Sequence, residues 1–200
     1  TFSGTVHLEG GILALSSDSP LGNAANVLAF DGGILQVTGS FSTARSISLS
    51  SAGGTISVNP GVVATLSGTI SGGSTLVKTG DGALELNPDT AAIGVLDIQA
   101  GTVKATASGD FGTVNTSTSV AASAALELPE SGNLEIGSLS GAGTVRLNGS
   151  ELAVYTHGNT VFSGVLEDGD LAGGSLAVHS RQAGSSLTLS GTVTYTGRTE

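Results

Sequence analysis

The acidic segment EDGDLAGG (167–174) contains the residue types best suited to holding a metal ion. Asp168 and Asp170 stand at positions 1 and 3 of a calcium-loop pattern, and Ca²⁺ prefers carboxylate oxygens. The pattern then breaks down, because Ala172 stands at position 5 and His179 at position 12, where a bidentate glutamate is needed. We therefore expect an acidic turn and no dedicated metal site, with Asp168 and Asp170 as the calcium candidate.

Few residues of the sequence match the patterns of known catalytic sites. The three histidines, His7, His157 and His179, are far apart in the sequence, and no G-x-S-x-G segment presents a nucleophilic serine. Polysaccharide cleavage is the stronger enzymatic alternative, but it needs a carboxylate pair or calcium-binding acids with a basic proton acceptor on one face. The acids are instead spread out, at Glu85, Asp97, Glu127 and Glu135. Because we also expect the strands to lack the exposed aromatic residues that stack on sugars, we predict no catalytic residues, no cofactor and no enzyme.

One short segment brings together an aromatic residue, a histidine and an amide, namely AVYTHGN (153–159). If Tyr155 and His157 point outward, they form a small contact patch. The alternative, which we favour, is an ordinary strand that ends in a turn. Glu167 is the third candidate for a surface contact.

Composition and charge exclude several classes of binding partner for this chain. The 200 residues include 16 Asp and Glu against 6 Lys and Arg, for a formal net charge of -10. Nucleic acids and anionic membranes select clustered Lys and Arg, so neither is expected as a partner. The absence of cysteine excludes disulfides, thiol catalysis and Cys-ligated zinc. The sequence has no long apolar run and does not open as a signal peptide, so we expect any export signal or membrane anchor to lie outside it.

Short alternating segments run through the whole sequence and predict an all-β fold. Examples are TVHL (5–8), ILAL (12–15), ILQV (34–37) and ALEL (83–86). Period-two alternation points one set of side chains inward and the other outward, and breaks such as DGG and GDG supply the positive φ angles of tight turns. SVAASAALEL (119–128) is the one segment that could form a helical turn, and the alternative is that AALELPESGNLEI (124–136) forms a strand, a turn and a strand.

Self-similarity indicates a solenoid. GTVHLEGGILALSSDSPLG (4–22) aligns without a gap on GVLDIQAGTVKATASGDFG (94–112). We predict a single β-helical segment over residues 1–200, taken from a longer array and made of approximate modules 1–93 and 94–200. Coils of roughly 22 residues would make about nine turns, and a spacing of about 4.8 Å per turn gives a rod of about 40 Å.

The stretch GGSTLVKTGDGALELN (72–87), preceded by TLSGTISG (65–72), resembles the strand repeat of bacterial autotransporter passenger domains. In that repeat a leucine is followed by Lys-Thr-Gly, a small residue with glycine, and alternating leucines. DGGILQVTGSFSTARSISLSSAGGTISVNPG (31–61) is similar to the segment that usually precedes the repeat. SLAVHSRQAGSSLTLSG (175–191) departs from it, because His-Ser-Arg stands in the place of Lys-Thr-Gly.

The resemblance implies a right-handed parallel β-helix that is exported across the outer membrane of a Gram-negative cell and displayed or released there. It also implies membrane anchoring only through a C-terminal barrel outside these residues. Passengers of this class include adhesins, self-associating proteins, toxins and a few enzymes, so no single activity is implied. We expect Lys78, Asp81 and Glu85 in this repeat to lie at solvated turn and outer-face positions.

Three functional hypotheses follow. The leading one is an adhesin or self-association rod whose extended polar faces bind a second copy, a host-surface receptor or a glycan. The second is an inert β-helical spacer for another domain. The third is a carbohydrate-active β-helix enzyme.

Overall fold

Short strands and tight turns account for most of the chain in the computed structural model, which describes residues 2–87, 91–106 and 113–200. Within those residues the only helical element is a single 3₁₀ turn, Ser19–Leu21. In chain order, strands β1 to β24 are Val6–Leu8, Ile12–Leu15, Leu28–Phe30, Ile34–Val37, Phe41–Thr43, Ile47–Leu49, Gly54–Val58, Val63–Leu66, Ile70–Ser71, Thr75–Thr79, Ala83–Leu86, Val95–Ile98, Gly101–Ala105, Ser117–Val120, Ala124–Glu127, Asn133–Ile136, Ser138–Gly141, Thr144–Arg146, Glu151–Thr156, Asn159–Phe162, Val165–Glu167, Ser175–Ser180, Ser186–Leu189 and Thr192–Val193.

The strands stack into three parallel walls. Wall 1 consists of two sheets that take the same place in the winding order, β1-β3-β6-β9 and then β16-β19-β22. Wall 2 is a nine-stranded sheet, β2-β4-β7-β10-β12-β14-β17-β20-β23. Wall 3 is an eight-stranded sheet, β5-β8-β11-β13-β15-β18-β21-β24. Strands inside each sheet therefore pair with the strands one coil before and one coil after them, as in a β-solenoid.

The size of a coil is set by the register of wall 2. Ile12 pairs with Ile34, and Val77 pairs with Asp97, so the coils differ slightly in length. Nine strands in one wall are separated by eight full turns, so the stack is about 38 Å long at about 4.8 Å per turn. The predicted parallel β-helix is confirmed, with about 8 turns.

Inward-facing side chains form rows of similar residues along the axis. One row in wall 3 pairs neighbours from coil to coil, and each of its members is at most 2% exposed. The row is Ala64, Leu84, Val103, Leu126, Val145 and Leu166. Stacking of aliphatic side chains at the inter-strand spacing buries them against one another, which is the main source of stability for a narrow core.

The alternation in the sequence predicted many of these strands correctly. Residues 124–136 form β15, a turn and β16, as the strand alternative predicted, and residues 119–128 contribute to β14 and β15, so the helical alternative is wrong. Among the strands that were not predicted are β5, β17 and β21, because their Ser, Thr and Gly residues or their short length give a weaker apolar alternation.

The two aligned copies of the self-similar segment lie in different walls. Val6–Leu8 of the first copy is in wall 1, whereas its counterpart in the second copy lies in β12 of wall 2. Residues 107–112 at the end of the second copy are outside the described residues. The modules 1–93 and 94–200 stay a prediction.

A long connection between β2 and β3 is fixed to the rod by one buried arginine. The Arg45 side chain is 2% exposed; its Nε and Nη2 donate to the two carboxylate oxygens of Asp18 at 2.8 and 2.9 Å. Arg45 also donates to the carbonyl oxygens of Gly22, at 3.1 Å, and Asn23. The guanidinium holds the pKa of Asp18 below its ordinary value of 3.8, although burial raises it.

Candidate functional site

Lys78 lies inside the solenoid, which contradicts the expectation of a solvated turn position. Its side chain is fully buried, in the inward row of wall 2 between Ile56 and Ile98. The ammonium donates hydrogen bonds to the carbonyl oxygens of Thr79, at 2.9 Å, and Gly80, at 2.7 Å. A third bond, of 3.0 Å, reaches the carbonyl of Ala100 in the next coil. Three acceptors match the three ammonium donors, so Lys78 joins two consecutive turns from within.

The surroundings of Lys78 explain the Lys-Thr-Gly pattern in physical terms. Burial lowers the pKa of Lys78 to about 8, and the nearby Asp81 carboxylate partly offsets that effect. Gly101 leaves room for the ammonium, because a Cβ there would lie 2.8 Å from Lys78 Nζ and would collide with the carbonyl oxygens of Gly80 and Gly82. Asp81 is exposed and Glu85 is half-buried on the outer side, as expected for those two residues.

The outer face of wall 3 carries a ladder of alternating charge. In register from coil to coil it consists of Glu85, Lys104, Glu127, Arg146 and Glu167. Arg146 bridges two coils, since its Nη1 lies 2.9 Å from Glu127 and its Nε lies 3.0 Å from Glu167. Glu167, one of the predicted contact residues, is therefore engaged by its own chain. The charges on this wall neutralise one another and leave little net charge for a partner.

The outer face of wall 2 is almost uncharged. Across its nine strands Asp97 is the one charged outward side chain in the described residues, and it accepts hydrogen bonds from Gln99, at 2.7 Å, and Ser119. The other outward side chains are mainly Ser, Thr, Ile and Val. Ile12 and Val161 are 66% and 55% exposed. Such a surface loses little hydration energy when it is covered.

The acids considered for polysaccharide cleavage are separated by the fold. Glu85 and Glu127 lie two coils apart in wall 3, Asp97 lies in wall 2, and Glu135 lies in wall 1. Asp97 and Glu135 are therefore separated from the other acids, whereas Glu85 and Glu127 share the outer face of wall 3 on either side of Lys104.

Asp168 fixes a turn to the next coil. Its Oδ1 accepts from the backbone N–H of Gly174 at 2.9 Å, and its Oδ2 accepts from the backbone N–H and the hydroxyl of Thr196 at 3.0 and 2.7 Å. Burial raises the pKa of Asp168, but these hydrogen bonds outweigh it and lower the pKa below 3.8. Asp170 is exposed, and within the described ranges no group of three or more metal-ligating side chains is assembled. The calcium assignment stays a prediction.

Tyr155 forms an aromatic patch on the outer face of wall 1. Its ring stacks on His179 of the next coil, with ring centroids 4.6 Å apart and planes inclined by 26°. The Arg181 guanidinium lies 5.3 Å from the centroid of the Tyr155 ring. The Tyr155 hydroxyl is 3.4 Å from Glu135. Tyr155 is half-buried under these contacts, so the expectation that exposed aromatic residues are lacking stays a prediction. We call Tyr155, His179 and Arg181 the aromatic patch.

His157 lies on the other side of the same turn, where wall 1 meets wall 2, and is exposed. It lines a groove of about 360 Å³, which joins a second groove of about 230 Å³ at Gly158. We call the two together the corner groove. Its lining residues are Asn115, Ser117, Gly137, Ser138, His157, Gly158, Asn159, Thr160, Gln182, Ala183, Gly184 and Ser185. The sequence placed Tyr155 and His157 together; the structure places them on adjoining surfaces, the patch and the groove.

The fold and these surfaces define a parallel β-solenoid segment with distinct outer faces. No family model and no solved structure gives a significant match to the chain. A stretch of 89 residues is 36% identical to the adhesin BmaC autotransporter of Brucella suis biovar 1 (strain 1330), covering 44% of this chain and 3% of that protein. The chain thus spans a small fraction of this relative's length. With the solenoid fold, this similarity confirms the resemblance to autotransporter passenger domains.

Among the described residues, no helix is both long and apolar enough to cross a membrane.

Proposed function

We propose that the chain is part of a surface-exposed autotransporter passenger and acts as an adhesive rod. The similarity to an autotransporter adhesin and the solenoid fold support this role. Export across the outer membrane of a Gram-negative cell is part of the proposal. The rod is not proposed to be an enzyme.

We further propose that the outer face of wall 2 is the adhesive surface and that it pairs with a second copy of the chain. The observation that carries this proposal is a face of nine strands with one charged side chain, Asp97, in the described residues. Two such faces can approach without bringing like charges together. Their exposed Ile and Val side chains gain from burial, and their hydroxyls can hydrogen bond in either direction.

The area of this face suggests a weak interaction per segment. A face about 40 Å long and about 15 Å wide would bury on the order of 600 Å² per partner, at the lower end of specific interfaces. A longer array of such segments would strengthen binding through multivalency. This distinguishes the adhesive rod from an inert spacer, whose outer faces need no partner.

The test is sedimentation velocity over a range of concentrations, combined with aggregation of cells that display the chain. The variant Thr55→Glu/Ser140→Glu adds two charges to wall 2, and Thr102→Glu/Thr144→Glu adds two to wall 3 as the matched control. We expect the parent chain and the control to associate and the wall 2 variant to lose association. Monomeric behaviour of the parent at all concentrations, without cell aggregation, would favour the spacer instead.

A further inference from the structure

We propose that the corner groove and the aromatic patch together form a binding site for a neutral oligosaccharide. This inference deepens the proposed adhesive role, on which it rests, by naming the chemical class of one partner. Its groove includes Ser117, Ser138 and Asn159, the first residues of three wall 2 strands, so it overlaps one edge of the wall 2 face. Binding of the oligosaccharide does not require that copies of the chain associate.

The groove is lined by groups that suit sugar hydroxyls. None of its lining side chains carries a formal charge at neutral pH when His157 is neutral, although the chain has a net charge of -10. Side chains of Asn115, Ser117 and Gln182 make no hydrogen bond to another described residue, so their amide and hydroxyl groups are available to a ligand. Amides and hydroxyls both donate and accept, which is what a ligand covered with hydroxyl groups requires.

The floor of the groove is formed by close packing of consecutive coils. A Cβ at Gly137 would lie 2.9 Å from the carbonyl oxygen of Val114 and from the carbonyl carbon of Asn115, so only glycine lets these two coils pack this closely. Lining residues come from four consecutive coils, which at about 4.8 Å per coil gives a length of about 14 Å. That length suits a short oligosaccharide lying parallel to the rod axis.

The aromatic patch gives the groove a stacking surface at one end. Arg181 donates its backbone N–H to the carbonyl of Thr156 at 2.9 Å, which seats the 181–185 turn directly on the coil that carries Tyr155 and His157. The hydroxyls of Thr156 and Ser185 lie 2.8 Å apart and join the same two coils. Patch and groove are therefore held in a fixed relation. The Tyr155 ring is half-buried and the His179 ring stacked on it is exposed, so the pair presents an apolar ring surface on which the C–H face of a sugar ring can pack.

Neutral ligands fit this site better than acidic ones. Arg181 is the one cation beside the site in the described chain, and it lies over the Tyr155 ring, whose hydroxyl is close to the Glu135 carboxylate. A carboxylated sugar stacked on the patch would meet the Glu135 charge as well as that of Arg181. Peptides are disfavoured because the groove presents side chains and lacks a free strand edge for pairing.

Gly158 allows a direct test of the groove. A Cβ added there would have no neighbouring atom within 4 Å, and the residue has no positive φ, so a larger side chain fits without strain. Gly158→Leu fills the point where the two parts of the groove meet. Thr144→Leu, on the outer face of wall 3, is the matched control. Tyr155→Ala removes the stacking surface, and Tyr155→Phe keeps the ring while removing the hydroxyl.

The experiment is ligand-observed NMR followed by titration calorimetry, with the chain kept below the concentration at which it associates. The probes are chitohexaose, cellohexaose and maltohexaose as neutral oligosaccharides and a hyaluronan hexasaccharide as the acidic one. We expect at least one neutral probe to bind, with affinity about tenfold lower for Tyr155→Ala, as expected for an aromatic contact of about 1.4 kcal/mol. Gly158→Leu should abolish binding, and Thr144→Leu and Tyr155→Phe should retain it.

Several results would overturn the proposal. These are failure of all neutral probes to bind, binding of the acidic probe alone with strong dependence on salt, and binding that survives both Gly158→Leu and Tyr155→Ala. Circular dichroism of each variant separates loss of the site from loss of the fold. Because association of copies is measured separately by sedimentation, failure of the glycan site leaves the self-association proposal intact, and the reverse also holds.

Discussion

Replacing Lys78 with methionine tests whether the buried ammonium holds two turns together. Methionine has a similar length and suits the aliphatic row between Ile56 and Ile98. It leaves the carbonyls of Thr79, Gly80 and Ala100 without the donor that they share. The change in stability depends on whether the loss of those hydrogen bonds outweighs the free energy gained by no longer burying a charge.

The magnitudes favour destabilisation. The fall in the pKa of Lys78 from 10.5 to about 8 corresponds to a cost of roughly 3 kcal/mol for keeping the charge buried at neutral pH. Three partly buried carbonyl oxygens that lose their donor cost about 2 kcal/mol each. We therefore expect Lys78→Met to lower the free energy of unfolding by about 3 kcal/mol at pH 7. Chemical denaturation measures the loss, and hydrogen exchange at the Gln99 amide, which donates to the Lys78 carbonyl, localises it.

The pH dependence provides a second measurement. The folded pKa of Lys78 lies below the unfolded value, so between pH 8 and 10.5 the unfolded chain binds more protons than the folded chain. The stability of the parent should consequently rise through this window relative to Lys78→Met, in which the group is absent. Lys104→Met, on the outer face of wall 3, is the matched control and should change little. If Lys78→Met is as stable as the parent and has the same pH dependence, the three-carbonyl account of Lys78 is wrong.

Three further predictions concern the connections between coils. Gly101→Ala should prevent or strongly destabilise folding of this region, because its Cβ meets two carbonyl oxygens and its φ of 69° disfavours alanine; hydrogen exchange of β11 and β13 would show whether the coils separate. Arg45→Lys should lower the free energy of unfolding by about 2 kcal/mol and expose the 16–27 connection to proteolysis, and unchanged cleavage would contradict the role of the ion pair with Asp18. That ion pair should also weaken as the pH falls through the lowered pKa of Asp18. Asp168→Asn should loosen the turn at Gly174 and Thr196 in the absence of Ca²⁺, because it weakens the hydrogen bonds that the carboxylate accepts. Calorimetric titration of the parent chain with Ca²⁺ should show no binding, and saturable binding that is lost in Asp168→Asn would support a calcium site instead.

The fold was predictable because period-two alternation and glycine turns are local signals. Lys78 was placed wrongly even though the same signal was available for it. In Thr75–Thr79 the alternation that puts Leu76 inward also puts Lys78 inward. The charge of the lysine led to an outward assignment, although its place in the alternation is inward. A lysine can occupy an inward position in a solenoid because turn carbonyls of its own coil and of the next coil accept from all three of its donors.

The surfaces were less predictable, because they depend on register between coils. The steps along the wall 3 ladder are unequal, and no single repeat length brings Glu85, Lys104 and Glu127 into line. Tyr155 meets His179 because the turn at 168–174 lengthens the intervening coil. Variation in turn length thus decides which outward side chains become neighbours, while the inward rows tolerate it. A solenoid of this kind can therefore change its binding surface through its turns without altering the core that supports it.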